Sequence, residues 1–517
     1  VEIMTPKQSI PPILRPDHVQ PVSLSEFSDR FGLSISPEGS TASITGISMN
    51  TADLRTGDLF VAMPGLKTHG ANFIDKAIEQ GAVAVVTDSK GLELLSNCSI
   101  PVLVLEQPRT HLGELAAFVY GNTTGKLPIL FGTTGTNGKT STTYLLEGIL
   151  RQLKRVTGLT STAERHIAGE VIVSRLTTPE STEMQALIAR MREKGVTDIA
   201  IEVSAQALTQ LRVDGIVFDV AGFTNLSHDH FDDYDGFDDY LSAKAKLFTK
   251  DRARAAVVCL DTDYGKRIAE LSQVPVTTVS MNPEHKAQWN VTVLAELPGK
   301  TEFELTGPNG QKLISSVPIL GAHMASNAGL AIVMAVTAGY EFEEIATAIK
   351  DGIDAYLPGR TELVSPQGAP YVYVDFGHSP DAFLNTLAAV RKVTTGKVLM
   401  LFGADGDRDA SKRPDMAKVA AAGCDILVIT DHHPRFENPA SIRKTLVEAA
   451  KEFRPELEIH EVSPPEAAIR VAISLVQPGD AILWAGPGHQ DYRDIEGVRT
   501  PYSARAEARA ALKEAGY

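Results

Sequence analysis

Cysteine is scarce: the chain of 517 residues has three, Cys98, Cys259 and Cys424, far apart and with no C-x-x-C pair. That excludes a disulfide framework and a thiolate zinc site, and predicts three reduced, mostly buried thiols. Long hydrophobic runs are missing too. No apolar stretch approaches the roughly 18 residues of a membrane span, and the first twenty residues carry no basic segment leading into an apolar one, so the expected compartment is the cytoplasm. Positive charge is in deficit, with 49 Lys and Arg against 64 Asp and Glu for a net charge of −15. Without clusters of Lys and Arg to neutralise phosphates, sequence-independent nucleic-acid binding is excluded. Internal repeats and low-complexity tracts are also absent.

What is present is an ordinary globular composition, 43% apolar and 22% charged, which predicts a chain folded throughout. At roughly 150 residues per domain the length predicts about three domains. Residues 1–20, with prolines clustered up to Pro21, read as an extended lead-in arm. Residues 21–125 alternate short β-type runs (59–62, 82–86, 102–105) with helical patterns such as 73–80, a small α/β domain. Residues 126–356 open on an apolar run, 127–131, a glycine-rich turn, and Leu145, Leu146, Ile149, Leu150 and Leu153 at helical spacing. This is strand, loop and helix, opening a central parallel sheet like that of P-loop ATPases.

Residues 357–517 carry four short hydrophobic runs, 371–374, 398–402, 426–429 and 481–484, separated by helical segments. That spacing predicts a Rossmann-like, doubly wound parallel sheet. Each run ends at a polar cluster: Asp375 to His378, Gly406 to Asp409, Asp431 to Arg435, and Gly486 to His489. Ligands of open α/β sheets bind at the carboxyl ends of strands, so the four clusters are expected to converge on one crevice.

The strongest chemical signal is Gly132-Thr-Thr-Gly-Thr-Asn-Gly-Lys-Thr-Ser141. A glycine-rich turn between strand and helix presents backbone N–H groups to phosphates, Lys139 adds positive charge near the β and γ phosphates, and the Thr140 hydroxyl reaches Mg²⁺. ATP is the implied ligand. Strict G-x-x-x-x-G-K-T spacing requires glycine where Thr133 stands. Further on, Glu202 ends an apolar strand and suits Mg²⁺, which takes oxygen ligands. The run Asp229, His230, Asp232, Asp233 and Asp235 reads equally as a metal cluster or a solvated acidic loop.

The segment Thr134-Gly-Thr-Asn-Gly-Lys-Thr140 resembles the phosphate loop of the Mur ligase family, ATP-dependent amino-acid ligases of peptidoglycan precursor synthesis, where this variant spacing is normal. The resemblance extends over nearly the whole chain and narrows to the members that add the third peptide residue to UDP-N-acetylmuramoyl-L-alanyl-D-glutamate. It implies an ATP site of Gly135, Thr136, Asn137, Gly138, Lys139, Thr140, Ser141, Asn327, Arg360, Asp375 and His378. Magnesium would be held by Thr140, Glu202, His230 and Lys244, the last as a carbamate, with Lys139, Lys244, His230 and Glu202 as the catalytic set. The UDP-substrate would meet Thr177 and Thr178 of a Thr-Thr-Pro loop, Ser204, Gln210 and Arg212 and, where the wording departs from the family's, Thr51, Lys67 and His69. Lys246 is expected to be a surface charge, and the chain to act as a monomer.

The resemblance places the incoming amino acid against Arg408, His432, His433, Arg435, Gly486 and Gln490. Members that add meso-diaminopimelate usually read Asp-Asn-Pro-Arg where this chain has His432-His-Pro-Arg435, and Gly-Lys-Gly-His-Glu where it has Gly486-Pro-Gly-His-Gln490. Arg435 suits a distal carboxylate through a bidentate pair, while the altered neighbours suit lysine or ornithine. Asp431, Asp407, Asp409 and Asp491 are candidates for the missing acceptor of a distal ammonium. Two other functions stand beside this one, a folylpolyglutamate-type ligase and a nucleotide-binding protein that has lost the reaction.

Overall fold

Alternation of β-rich runs with helical segments folds into parallel sheets covered by helices. The computed structural model, which describes residues 13–36, 41–65, 67–95, 98–229 and 233–517, contains three such sheets in succession along the chain. In the first, strands Gly46–Ser48, Asp58–Ala62, Ala84–Thr87 and Val102–Val104 run parallel, with Ile35–Ser36 antiparallel at one edge. Its core packs Leu59, Val61 and Leu103 against Leu24, Phe27, Leu112 and Leu115 of flanking helices.

The central sheet has eleven strands. Strand Ile129–Thr134 lies between Asp198–Glu202 and Phe218–Phe223, all parallel. Helix Lys139–Gln152 follows it directly, and its Leu145, Leu146, Ile149 and Leu150 are fully buried. Each such side chain contributes about 2 kcal/mol by burial, which fixes the helix N-terminus over the end of the strand. Both flanks are antiparallel: Thr157–Thr160 with Glu164–Ile167 and Glu170–Val173 on one side, and Trp289–Leu297 with Lys300–Thr306 and Lys312–Val317 on the other. These ribbons are extensions that the phosphate-loop reading did not predict.

In the third sheet Tyr371–Asp375, Ala481–Ala485, Val398–Phe402, Ile426–Ile429 and Glu458–Glu461 are parallel neighbours, with Glu362–Leu363 antiparallel at the edge. The register pairs Asp375 with Ala485, Ala485 with Phe402, and Phe402 with Ile429. Four strands therefore end at one level, and the polar clusters that follow them share one rim. The doubly wound reading agrees with this topology.

The lead-in segment, where described, is anchored rather than loose. Arg15 donates to both oxygens of Asp58 at 2.6 and 2.8 Å, and the backbone N–H groups of Asp17 and His18 donate to Glu193 at 2.8 Å. Among the described residues no helix is long and apolar enough to cross a membrane.

Candidate functional site

The phosphate loop turns tightly because two glycines adopt positive φ, Gly135 at 146° and Gly138 at 84°. A Cβ at Gly138 would lie 2.5 Å from Asn327 Oδ1, so helix Ala322–Thr337 backs the loop. Lys139 Nζ donates to Thr136 O at 2.8 Å. Glu202, ending the neighbouring strand, accepts from Thr140 Oγ1 at 2.9 Å, from Thr162 N at 2.9 Å and from Thr162 Oγ1 at 3.0 Å. Its carboxylate is thus aimed at the hydroxyl of the loop. Lys244 is buried, donates to Gly135 O at 2.7 Å, and lies 4.2 Å over the Tyr240 ring. Burial, with the nearby Lys139 charge, pushes its ammonium well below the usual lysine range.

From the third sheet Arg360 reaches the same place. Its Nη2 donates to Thr140 Oγ1 at 3.0 Å and its guanidinium stacks 4.3 Å over Phe376, while Nη1 is buried without a protein partner. A buried guanidinium N–H group left unmade is costly, and here it sits beside a phosphate loop. Asp375 holds the turn that presents Arg360, accepting from Thr361 N at 2.8 Å and Gly377 N at 2.7 Å. Two more contacts span the gap: Asn137 Nδ2 donates to Asp381 Oδ2 at 3.2 Å, and Lys412 Nζ pairs with Asp229 at 3.0 Å. His378 donates through Nδ1 to Phe376 O at 2.9 Å and faces Asp229 at 3.9 Å.

One cleft of about 570 Å³ gathers most of the expected site residues. Thr136, Asn137, Gly138, Lys139, Thr140, Ser141, Glu202, Asn327, Arg360, Asp375 and His378 line it on the nucleotide side. Thr177, Ser204, Gln210 and Arg212 line it on a second side, and Arg408, His432, Arg435, Gly486 and Gln490 on a third. The four clusters of the last sheet thus converge.

Other expectations are redirected. Thr178 is fully buried, its hydroxyl spent on Glu202 O at 2.8 Å and on Ser204 N at 3.1 Å, so it shapes the wall rather than facing the cleft. His433 is also buried: its Nε2–H donates to Gln490 Oε1 at 2.7 Å and its Nδ1 accepts from Asp494 N at 2.9 Å. His69 is a cap, with Nδ1 accepting from Ala71 N and Nε2 donating to Asp88, both at 3.0 Å. Neither of its nitrogens is left for a ligand. Lys67 is exposed, and Thr51 begins a short 3-10 turn on the first sheet's rim. His230 lies outside the described residues.

Sequence reasoning missed a second cavity of about 640 Å³ lined from all three parts of the chain. Ser48, Asn50 and Asp53 come from residues 21–125, Arg175 and Glu180 from 126–356, and Asp494 and Arg499 from the hairpin of strands Tyr492–Ile495 and Val498–Pro501. Arg175 pairs with Asp53 at 3.0 Å, and Glu180 is held by Arg109 at 3.1 Å and Arg212 at 2.9 Å. Leu176 lines both cavities, so they adjoin. Asp405 was also missed, being one residue outside the Gly406 to Asp409 cluster. Three of the four acids proposed to meet a substrate ammonium are engaged elsewhere, Asp431 by Arg443 and Ser463, Asp407 by Phe436 N and Asp491 by Arg505, whereas Asp409 accepts from Ser411 through Oδ1 alone and its buried Oδ2 makes no hydrogen bond, standing 3.7 Å from His228.

Family models match in three blocks: "Mur ligase family, catalytic domain" at residues 43–120, "Mur ligase middle domain" at 133–335, and "Mur ligase, glutamate ligase domain" at 359–488. The chain is 52% identical over 509 residues to a UDP-N-acetylmuramyl-tripeptide synthetase of Leifsonia xyli, covering 98% of this chain and 99% of that protein. It is 41% identical to a UDP-N-acetylmuramoyl-L-alanyl-D-glutamate–2,6-diaminopimelate ligase of Streptomyces coelicolor, covering 97% and 98%. A solved structure of a ligase with that second name shares the fold at a TM-score of 0.67 and 24% identity, covering 96% of this chain and 100% of the other.

Proposed function

The chain belongs to the Mur ligase family, and from that premise we propose that it joins UDP-N-acetylmuramoyl-L-alanyl-D-glutamate to an amino acid through an acyl phosphate. It is an ATP-dependent ligase of peptidoglycan precursor synthesis. The reading is supported above all by Arg360: an unpartnered, buried guanidinium N–H from one sheet placed against the phosphate-loop Thr140 of another. That is a built anion site spanning two domains.

In this reading residues 21–125 hold the uridine nucleotide, 126–356 ATP, and 357–517 the amino acid. The UDP moiety lies in the cavity of Asn50, Asp53 and Arg175, and the peptide end passes Leu176 and Thr177 into the ATP cleft. Lys139 and Arg360 face the transferring phosphoryl group and stabilise charge by position alone. The γ-carboxylate of D-glutamate attacks the γ-phosphorus and ADP leaves. The amine then attacks the acyl carbon, and phosphate departs as the amide forms.

The oxygen donors Thr140 and Glu202 suit Mg²⁺, a hard cation. They would hold it together with Lys244 as a carbamate and with His230, and the ion would neutralise phosphate charge. The lowered ammonium of Lys244 favours this modification, because only a neutral amine adds to CO₂, releasing a proton as the carbamate forms. Supply of ATP and UDP-sugars places the reaction in the cytoplasm.

The test is ADP release by the purified chain with ATP, Mg²⁺, the UDP-muramoyl dipeptide and a mixture of amino acids, read also by product mass. ADP release should require both acceptor and amino acid. Lys139→Ala should lower it by on the order of 10²-fold or more. Substantial turnover by that variant contradicts the assignment.

A further inference from the structure

Resting on the ligase reading, we infer that the incoming amino acid is a diamino acid whose far end is an ammonium without a carboxylate, and that Asp405 is the residue selecting it. Asp405 follows strand Val398–Phe402 and lines the cleft beside His432 and Arg435. Its Oδ1 is buried and makes no hydrogen bond, and its nearest cations, His432 Nε2 and Arg435 Nη1, both stand off at 3.7 Å. A carboxylate oxygen held that way is an acceptor without a donor.

Its neighbours do not fill the role. Burial pushes the His432 imidazole well below its usual range, so a ring standing off at 3.7 Å is a poor substitute for a cation bonded to Oδ1. Gln490 Oε1 already accepts from His433. Arg435, the group expected to take a distal carboxylate, is instead flanked by two acids: Asp405 at 3.7 Å and Asp494 Oδ2 at 4.0 Å, while Nη1 donates to Gly406 O at 2.7 Å. Asp405 and Asp494 share the Arg435 guanidinium, which leaves Asp405 Oδ1 open to a further cation from the cleft. An ammonium fits that place. A distal carboxylate, as in diaminopimelate, would face Asp405 across a guanidinium that is already compensated.

The experiment uses the full chain with ATP, Mg²⁺ and the UDP-muramoyl dipeptide, offering L-lysine, L-ornithine, L-2,4-diaminobutyrate, meso-diaminopimelate and L-norleucine in turn. At least one of the three L-diamino acids should exceed meso-diaminopimelate in kcat/KM by about 10-fold or more, with norleucine near background. Asp405→Asn should raise KM for the preferred amino acid by about 10- to 100-fold, leave KM for ATP within about 2-fold, and move the kcat/KM ratio toward meso-diaminopimelate. Asp405→Glu should recover part of the preference. A wild-type preference for meso-diaminopimelate or norleucine overturns the inference, as does an Asp405→Asn variant whose amino-acid KM is unchanged or moves only together with that for ATP. If the variants do not fold, the wild-type panel still decides the substrate class. No product with any amino acid instead removes the ligase reading itself, and the inference with it.

Discussion

His166 shows how one side chain can couple stability to pH near the site without entering it. It lies between Glu147, at 2.9 Å from Nδ1, and Glu164, at 3.3 Å from Nε2, and Tyr144 donates to the same Glu164 at 2.8 Å. Burial works against its charge, but the two glutamates outweigh it and raise the imidazole from 6.5 to about 9. The folded chain therefore binds more protons than the unfolded one between those values. The stabilisation is fully present below pH 6.5 and is lost as pH rises through 9, about 3 kcal/mol in all. Melting temperature should fall from pH 6.5 to 9.5 more steeply in the wild type than in His166→Gln. Parallel curves would remove His166 as the cause.

At the scale of elements, the phosphate loop depends on a close approach that only glycine allows. A Cβ on Gly135 would lie 1.9 Å from Thr224 Oγ1, and that hydroxyl is committed to Asn137 O at 2.6 Å. Gly135→Ala should strain the loop by about 1–3 kcal/mol, seen as about 5- to 150-fold in kcat/KM for ATP; an unchanged value would show that the loop yields freely. This strand, loop and helix were legible because Leu145 to Leu150 mark a helix face and the glycines mark the turn. The four strands of the last sheet were legible too, as short apolar runs ending in polar clusters. The ribbon from Trp289 to Val317 was not, since Thr292, Glu302 and Glu304 dilute its apolar positions and its edge is half exposed. Asp405 escaped for a different reason. What marks it is an unsatisfied oxygen beside Arg435 on the wall of the cleft, and that placement arises from contacts between strands distant in sequence. His69 and His433 misled because a histidine whose nitrogens are both spent reads the same in sequence as one that is free.

Across the whole molecule the net charge is −15, and the cleft sets Lys139, Arg212, Arg360, Arg408 and Arg435 among Glu202, Asp229, Asp233, Asp375, Asp381 and Asp405. An anionic ligand bound to those cations would bridge the sheets, and the contacts already spanning the gap say where. Lys412 and Asp229 form a pair about nine-tenths buried at 3.0 Å, joining the third sheet to the loop after strand Phe218–Phe223. Removing one partner of a buried pair costs about 3–5 kcal/mol, because the other charge is left in low dielectric; His378 faces the same Asp229 carboxylate at 3.9 Å. Opening the interface lets water reach that carboxylate, so Lys412→Met should favour a more open arrangement. Small-angle scattering should give this variant a larger radius of gyration than the wild type without ligands. Its compaction should need a higher ATP concentration, while the melting transition of each sheet persists. Identical scattering and identical ATP dependence would mean that closure rests on Arg360 at Thr140 and Asn137 at Asp381 instead, and that the lysine pair merely accompanies it.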